Sequence, residues 1–166
     1  IRSDLDYKLI RGNVDTRVKK LENGDYDAIL LSKAGIEALG LINKITHEFN
    51  TEELIPCAGQ GIIAIQCREN DQEIINILEK INDDQSRIIA NAERKILKIL
   101  EGDCDTAVGV FAKIDKDFVN IKAELFSVDG KQRFFVEESE NKTMVKDLSI
   151  KIGEKLKSES KGSYKR

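Results

Sequence analysis

The sequence predicts an α/β protein in two parts: an α/β half over residues 1–58 and a small α+β domain over residues 76–166 built on a three-stranded antiparallel sheet. A connector over residues 59–75, containing one strand, joins them. Three observations carry this prediction. Short apolar runs, Ala28-Ile29-Leu30-Leu31 and Ile62-Ile63-Ala64-Ile65, have the pattern of strands buried on both faces. A long segment from Asp84 to Leu100 repeats apolar residues at helical spacing. Beyond residue 104 the apolar period changes to two, the signature of strands with one face in a core.

The elements follow in order. Tyr7 to Arg11 reads as a strand ending at Gly12, and Asn13 or Asp15 can cap a helix that buries Val18 and Leu21 and closes at Asn23-Gly24. With the run at 28–31 this makes residues 7–31 a βαβ unit. A second helix, Lys33 to Leu39, stops at Gly40. Residues 42–56 are mixed and polar, ending at Pro56, the chain's one proline. Gly59-Gln60-Gly61 then allows a sharp turn before the run at 62–65.

A helix is expected over 71–80. A stronger one spans Asp84 to Leu100, with Ile88, Ile89, Ala92, Ile96, Ile99 and Leu100 on one face. Val108, Val110 and Ala112 alternate, as do Val119, Ile121, Ala123 and Leu125. Asp129-Gly130 marks a hairpin, and Gln132 to Val136 is the returning strand. A last amphipathic helix uses Val145, Leu148, Ile152 and Leu156, and the polar tail from Ser158 to Arg166 is expected to fray.

Composition excludes several classes of function. With 40% apolar and 34% charged residues the chain is an ordinary ordered domain or pair of domains. A net charge of -3 argues against a nucleic-acid or anionic-membrane partner. No apolar run approaches the roughly 18 residues that span a bilayer. Three cysteines at irregular spacing make neither a disulfide framework nor a zinc site, so a reducing cytoplasm is expected. The chain opens on Ile1 with no leader, and a longer parent chain is expected.

Two constellations stand out. In Arg11-Gly12-Asn13-Val14-Asp15-Thr16-Arg17 a strand end meets a helix N-terminus, where unpaired N–H groups and the helix dipole favour an anion and two arginines add forked donors. The same segment also reads as two solvated arginines. Cys104 lies in a polar loop between the long helix and the first period-two strand, placed to face a cleft. Asp103 and Asp105 would raise its thiol pKa, so a role as general nucleophile needs a compensating cation or a very electrophilic partner. Cys57 and Cys67 adjoin apolar runs and read as packing residues, and His47 has no evident partner in sequence.

Four stretches in order together resemble the porphobilinogen deaminase family: RGNVDTRVKKL (11–21), GDYDAILLSKAGIEALGL (24–41), LIPCAGQGIIAIQCR (54–68) and AERKILKILEGDCDTAVGVFA (92–112). The resemblance implies an enzyme of tetrapyrrole (haem) biosynthesis, a transferase that joins four porphobilinogen units head to tail into hydroxymethylbilane and releases ammonia each time. It implies a dipyrromethane cofactor held by a thioether to Cys104. It also removes the pKa difficulty, because deaminated porphobilinogen is itself electrophilic. Pyrrole acetates and propionates need paired cations when buried, so Arg11 and Arg17 become binding residues, Gln60 a hinge residue and Ser32 a cleft-facing one. In fold terms, residues 1–58 become a remnant of a periplasmic-binding-protein-like middle domain.

The departures matter as well. Ala38 stands where the family commonly has a cleft arginine, and Asp103 and Asp105 replace the more usual glycine and glutamine. The family's catalytic aspartate belongs to an N-terminal domain without counterpart here, so no catalytic residue is expected in this segment. The segment alone is expected to be inactive, and the strand after Gly61 to lack a sheet to join. The expected partners are porphobilinogen, the growing pyrrole chain and the missing N-terminal domain, in a full-length monomer. A non-catalytic anion-binding module derived from the same scaffold is the alternative reading.

Overall fold

The computed structural model describes residues 4–103 and 105–165; Cys104, the residue expected to anchor the cofactor, lies outside the described residues. The chain divides into two compact units, Ile1–Glu48 and Phe49–Arg166.

In the first unit helix α1 (Val14–Glu22) and helix α2 (Lys33–Ala38) form where capping and periodicity place them. Asn23 and Gly24 close α1, with Gly24 at φ 81°, and Gly40 at φ 69° follows α2. Val18 and Ile36 are the buried apolar side chains. Gly35 lets α2 settle against α1, since a Cβ there would lie 3.0 Å from Val14 Cγ2.

The expected βαβ unit is not formed: residues 7–11 and 28–31 belong to no strand. A buried strand needs ladder partners for its N–H and C=O groups. The described residues of this unit contain no strand to supply them. Leu9 and Leu30 are consequently exposed. Tyr26 Oη, ahead of the second segment, donates to Leu9 O at 3.2 Å.

The second unit carries the core. Helix α3 (Gln72–Glu79) is capped by Asp71, and helix α4 (Asp84–Leu100) by Asp83, whose carboxylate accepts from Ser86 N–H. Strands β1 (Val108–Asp115), β2 (Phe118–Phe126) and β3 (Arg133–Asn141) form an antiparallel sheet in the order β1-β2-β3. Helix α5 (Val145–Ser160) packs with α4 on one face. The period-two residues Val110, Ala112, Val119, Ile121, Ala123 and Leu125 point into that core, joined by Ile96, Leu100, Ile152 and Leu156 from the helices. The hairpin at Asp129-Gly130 closes as its sequence implies: Ser127 Oγ donates to Asp129 Oδ1 at 2.6 Å, and Gly130 takes φ 69°.

On the opposite sheet face the even-numbered positions of β2 form ion pairs across the ladder. Glu124 accepts from Arg133 at 2.8 Å, and Lys122, opposite Glu137, also reaches Glu52. Lys122 is buried, and its bond to Glu52 above all holds the amine's pKa above its ordinary value.

Three expectations fail in this unit. Residues 62–65 form no strand, and Ile63 is 90% exposed. Among the described residues β1, β2 and β3 pair only with one another. Cys57 is exposed rather than packed, because it opens a turn, whereas Cys67 is half-buried. The tail after Ser158 does not fray. Tyr164 is buried at 5% exposure, and Val128 N–H donates to Ser163 O at 2.9 Å. One aromatic ring anchors a segment whose polarity otherwise points to solvent.

Candidate functional site

In the first unit the segment Arg11–Arg17 leads into the N-terminus of α1. Gly12, at φ 122°, turns the chain into α1, and its carbonyl accepts from Arg17 Nε at 2.7 Å. Lys20 Nζ donates to Arg11 O at 3.1 Å, so the approach to the helix is held from its first and second turns. Asn13 is the N-cap but makes no side-chain cap bond, which leaves the first N–H groups of α1 open to a ligand. Arg17 is half-buried and Arg11 exposed. Ser32 is the N-cap of α2 with its hydroxyl unused for capping, and its Oγ and Val14 both face Gly35. Ser32 and Val14 thus meet at Gly35, while Arg11 and Arg17 stand at the approach to α1. Ala38 sits exposed at the end of α2.

In the second unit Gln60 lies in a tight turn over Cys57–Gly61. Gln60 N–H donates to Cys57 O at 3.0 Å and Ile62 N–H to Gly59 O at 3.2 Å. Gly59 and Gly61 take φ 79° and 81°, backbone that disfavours any residue with a Cβ. Gln60 is exposed at the crest.

Sequence reasoning missed the residue that fixes this turn. Glu93, on α4, is 3% exposed. Its Oε2 accepts from Gly59 N–H at 2.7 Å and its Oε1 from Ala112 N–H at 2.8 Å. One carboxylate thus ties the turn to the outer edge of β1. Burial pushes the Glu93 carboxyl above its ordinary value, against the opposing pull of the two N–H groups. The signal was present in sequence as a lone acid beside Ala92 and Ile96 on the apolar stripe. The turn is also bound through its lead-in: Val110 N–H donates to Pro56 O at 2.8 Å, and Ile55 is buried beside Gly109.

The loop that carries Cys104 is bounded by well-defined geometry on both sides. Glu101 adopts left-handed backbone at φ 56°, its N–H donating to Lys98 O, and Gly102 N–H donates to Leu97 O at 3.1 Å. That is the paired bonding of a Schellman helix end. Asp103 turns its carboxylate into the loop, accepting from Asp105 N–H at 2.9 Å and from Thr106 Oγ at 3.0 Å. These donors, Asp105 N–H first, hold the Asp103 carboxyl below its ordinary value. Its negative charge is spent on closing the loop.

Beside Gly102 the surface forms an open concavity of about 420 Å³ lined by Asn91, Arg94, Lys95, Leu97, Lys98 and Gly102. Arg94, Lys95 and Lys98 were not singled out from sequence. Their chemistry suits carboxylates, and their place on α4 is one turn or two from the Cys104 loop. This donor set fits a dipyrromethane, whose pyrroles carry acetates and propionates. Among the described residues no cluster of His, Cys, Asp and Glu could hold a metal ion, and no helix is long and apolar enough to cross a membrane.

Comparison with known proteins places both units. A family model described as "Porphobilinogen deaminase, dipyromethane cofactor binding domain" matches residues 1–76, and one described as "Porphobilinogen deaminase, C-terminal domain" matches residues 88–158. A porphobilinogen deaminase of Exiguobacterium sibiricum is 45% identical over 134 residues, 80% of this chain and 44% of the relative. One from Francisella tularensis subsp. novicida is 37% identical over 166 residues, 99% of this chain and 53% of the relative. The chain spans about half the length of the curated relatives it matches.

Proposed function

This chain belongs to the porphobilinogen deaminase family, and from that premise we propose that it forms the cofactor-bearing part of a hydroxymethylbilane synthase acting in haem biosynthesis. One observation carries the reading. The end of α4, just before Asp103, carries a concavity lined with Arg94, Lys95, Lys98 and Gly102. A dipyrromethane joined by a thioether at Cys104 supplies the primer to which each new pyrrole is added.

The chain's own residues bind, orient and hinge. Arg11 and Arg17 take carboxylates at the open N-terminus of α1, with Ser32 beside them. Arg94, Lys95 and Lys98, on α4, supply cations of their own for carboxylates. Gln60 sits on a turn whose glycine backbone and Glu93 tether suit a hinge. No residue of this segment supplies the proton for the departing amine. The isolated 166 residues are therefore expected not to turn over porphobilinogen. In this proposal residues 1–58 are the periplasmic-binding-protein-like remnant. The segments at 7–11 and 28–31 support it, since Leu9 and Leu30 are exposed here and suited to strands completed by other parts of the parent chain. The parent protein is a cytoplasmic monomer.

The test is the mass of the full-length protein after denaturation. An adduct of one dipyrromethane on the peptide containing Cys104, lost in Cys104→Ser, is the expected result. An unmodified thiol in protein purified from a host that makes porphobilinogen would refute the enzyme reading and favour an anion-binding module on the same scaffold.

A further inference from the structure

An edge strand presents backbone N–H and C=O groups that its own sheet does not pair. Strand β1 is such an edge, and the segment leading into the Gln60 turn covers it. Val110 N–H donates to Pro56 O at 2.8 Å. Two residues on, Ala112 N–H donates to Glu93 Oε1, and the other oxygen of that carboxylate holds Gly59 N–H. The same segment also lies over the sheet face opposite the core. Ile55 is buried against Gly109, where the absence of a Cβ lets the two backbones approach. Ala58 packs against the core cluster. Past the turn this attachment stops, and Ile63, Ala64 and Ile65 are exposed.

A charge fastens the near end of the segment. Asn50 organises a single turn there: its Oδ1 accepts from the Glu52 N–H at 2.8 Å and the Glu53 N–H at 3.1 Å. Its own N–H donates to Glu53 Oε2 at 3.0 Å. That turn presents Glu52 to Lys122, 70 positions along the chain. The Lys122 side chain is only 10% exposed and lies between Glu52, 74% exposed, and Glu137, whose Oε1 is 3.6 Å away. A lysine this buried needs a partner, and the two carboxylates provide it. Without the amine both carboxylates still reach water, so the fold loses little. What it loses is the charged tie between the turn at Asn50–Glu53 and the sheet.

We propose that residues 50–59 are a strap fastened to the sheet, with Lys122 as the positioning residue that keeps its near end seated, so that the sheet is the fixed base of the Gln60 turn. Ile55, Pro56 and Gly59 hold the far end by packing and backbone bonds, and Lys122 holds the near end by charge. A hinge concentrates its motion in a few residues between bodies that move as units. The strap supplies one such body, and the left-handed glycines on either side of Gln60 stand where it ends. Loosening the near end lets the strap shift along β1 and carries Gln60 with it. This inference rests on the reading of Gln60 as a hinge residue of a hydroxymethylbilane synthase.

The test uses the full-length protein in three variants: Lys122→Met, which keeps the apolar stem; Lys122→Arg, which keeps the charge; and Glu52→Gln at an exposed site. Two properties are read: cleavage of the folded protein after Glu53 by a glutamate-specific protease, and kcat and KM for porphobilinogen. Lys122→Met should melt within a few degrees of the parent, since an apolar side chain replaces a buried charge. Its cleavage after Glu53 should accelerate about fivefold, the effect of losing one ion pair on local opening. Changes at a hinge shift kcat and KM together, here by about threefold or more. Glu52→Gln should follow Lys122→Met, and Lys122→Arg should restore the parent's values. Unchanged cleavage in both Lys122→Met and Glu52→Gln overturns the strap. Faster cleavage with kcat and KM unmoved shows a strap that serves the fold alone, and overturns its coupling to the hinge. A parent without turnover overturns the enzyme reading and the coupling with it, while cleavage still decides whether the strap is fastened.

Discussion

Replacing Gly109 with alanine should loosen the link between the turn at 57–61 and the sheet. An ideal Cβ at residue 109 would lie 2.7 Å from Ile55 O and 3.1 Å from Ile55 Cβ and Cγ2. The close atom is backbone, so no side-chain rotation relieves it, and the Ile55-Pro56 segment must retreat by roughly half an ångström or more to reach ordinary contact. Pro56 O accepts from Val110 N–H at 2.8 Å, and that bond is stretched by the same movement. Overpacking costs about 1–3 kcal/mol, and a weakened hydrogen bond about 1 kcal/mol. Restricting the unfolded chain returns about 0.5–1 kcal/mol. The net expectation is a loss of about 2 kcal/mol. Urea unfolding followed by circular dichroism should show a lower midpoint with an unchanged slope, and the Val110 amide should exchange faster. A variant as stable as the parent within about 0.5 kcal/mol would show that the 55–56 segment is not held against β1, and would remove the basis for reading the turn as tethered there.

Other expectations can be checked on the same preparation. Glu93→Ala strips the acceptor from Gly59 and Ala112 N–H groups, and should cost about 2 kcal/mol with faster exchange of both amides. Lys157 and Lys165 hold the Glu101 carboxyl at about 2 against an ordinary 4.5. A carboxyl depressed in the folded state contributes stability that is present above 4.5 and lost as pH falls toward 2. The gap in unfolding midpoint between the parent and Glu101→Gln should therefore be full above pH 5 and close across that window. Leu125→Ala, at a fully buried site on β2, should cost about 2–5 kcal/mol. Leu30→Ala, at an exposed one, should change stability by less than about 0.5 kcal/mol in urea titration.

Local pattern was sufficient where an element completes its own interactions. Helix α4 runs from Asp84 to Leu100 as its apolar spacing implies, and the hairpin at Asp129-Gly130 forms where its turn residues stand. The glycines flanking Gln60 take the left-handed backbone their presence implied. Local pattern was insufficient where an element depends on a distant partner. Residues 7–11, 28–31 and 62–65 have strand composition but no ladder, because strand formation is a property of pairs rather than of single segments.

The sequence by itself determined the family, the helices, the three-stranded sheet and the segments that hold Arg11, Arg17, Ser32 and Gln60. Each follows from residues close together in the chain. Tertiary structure alone decided that Glu93 joins the turn to the sheet edge, and that Tyr164 and Lys157 finish a helix some sixty residues before them. The physical reason lies in the buried backbone. Its N–H and C=O groups must all find partners, and composition does not reveal which remote side chain will supply them.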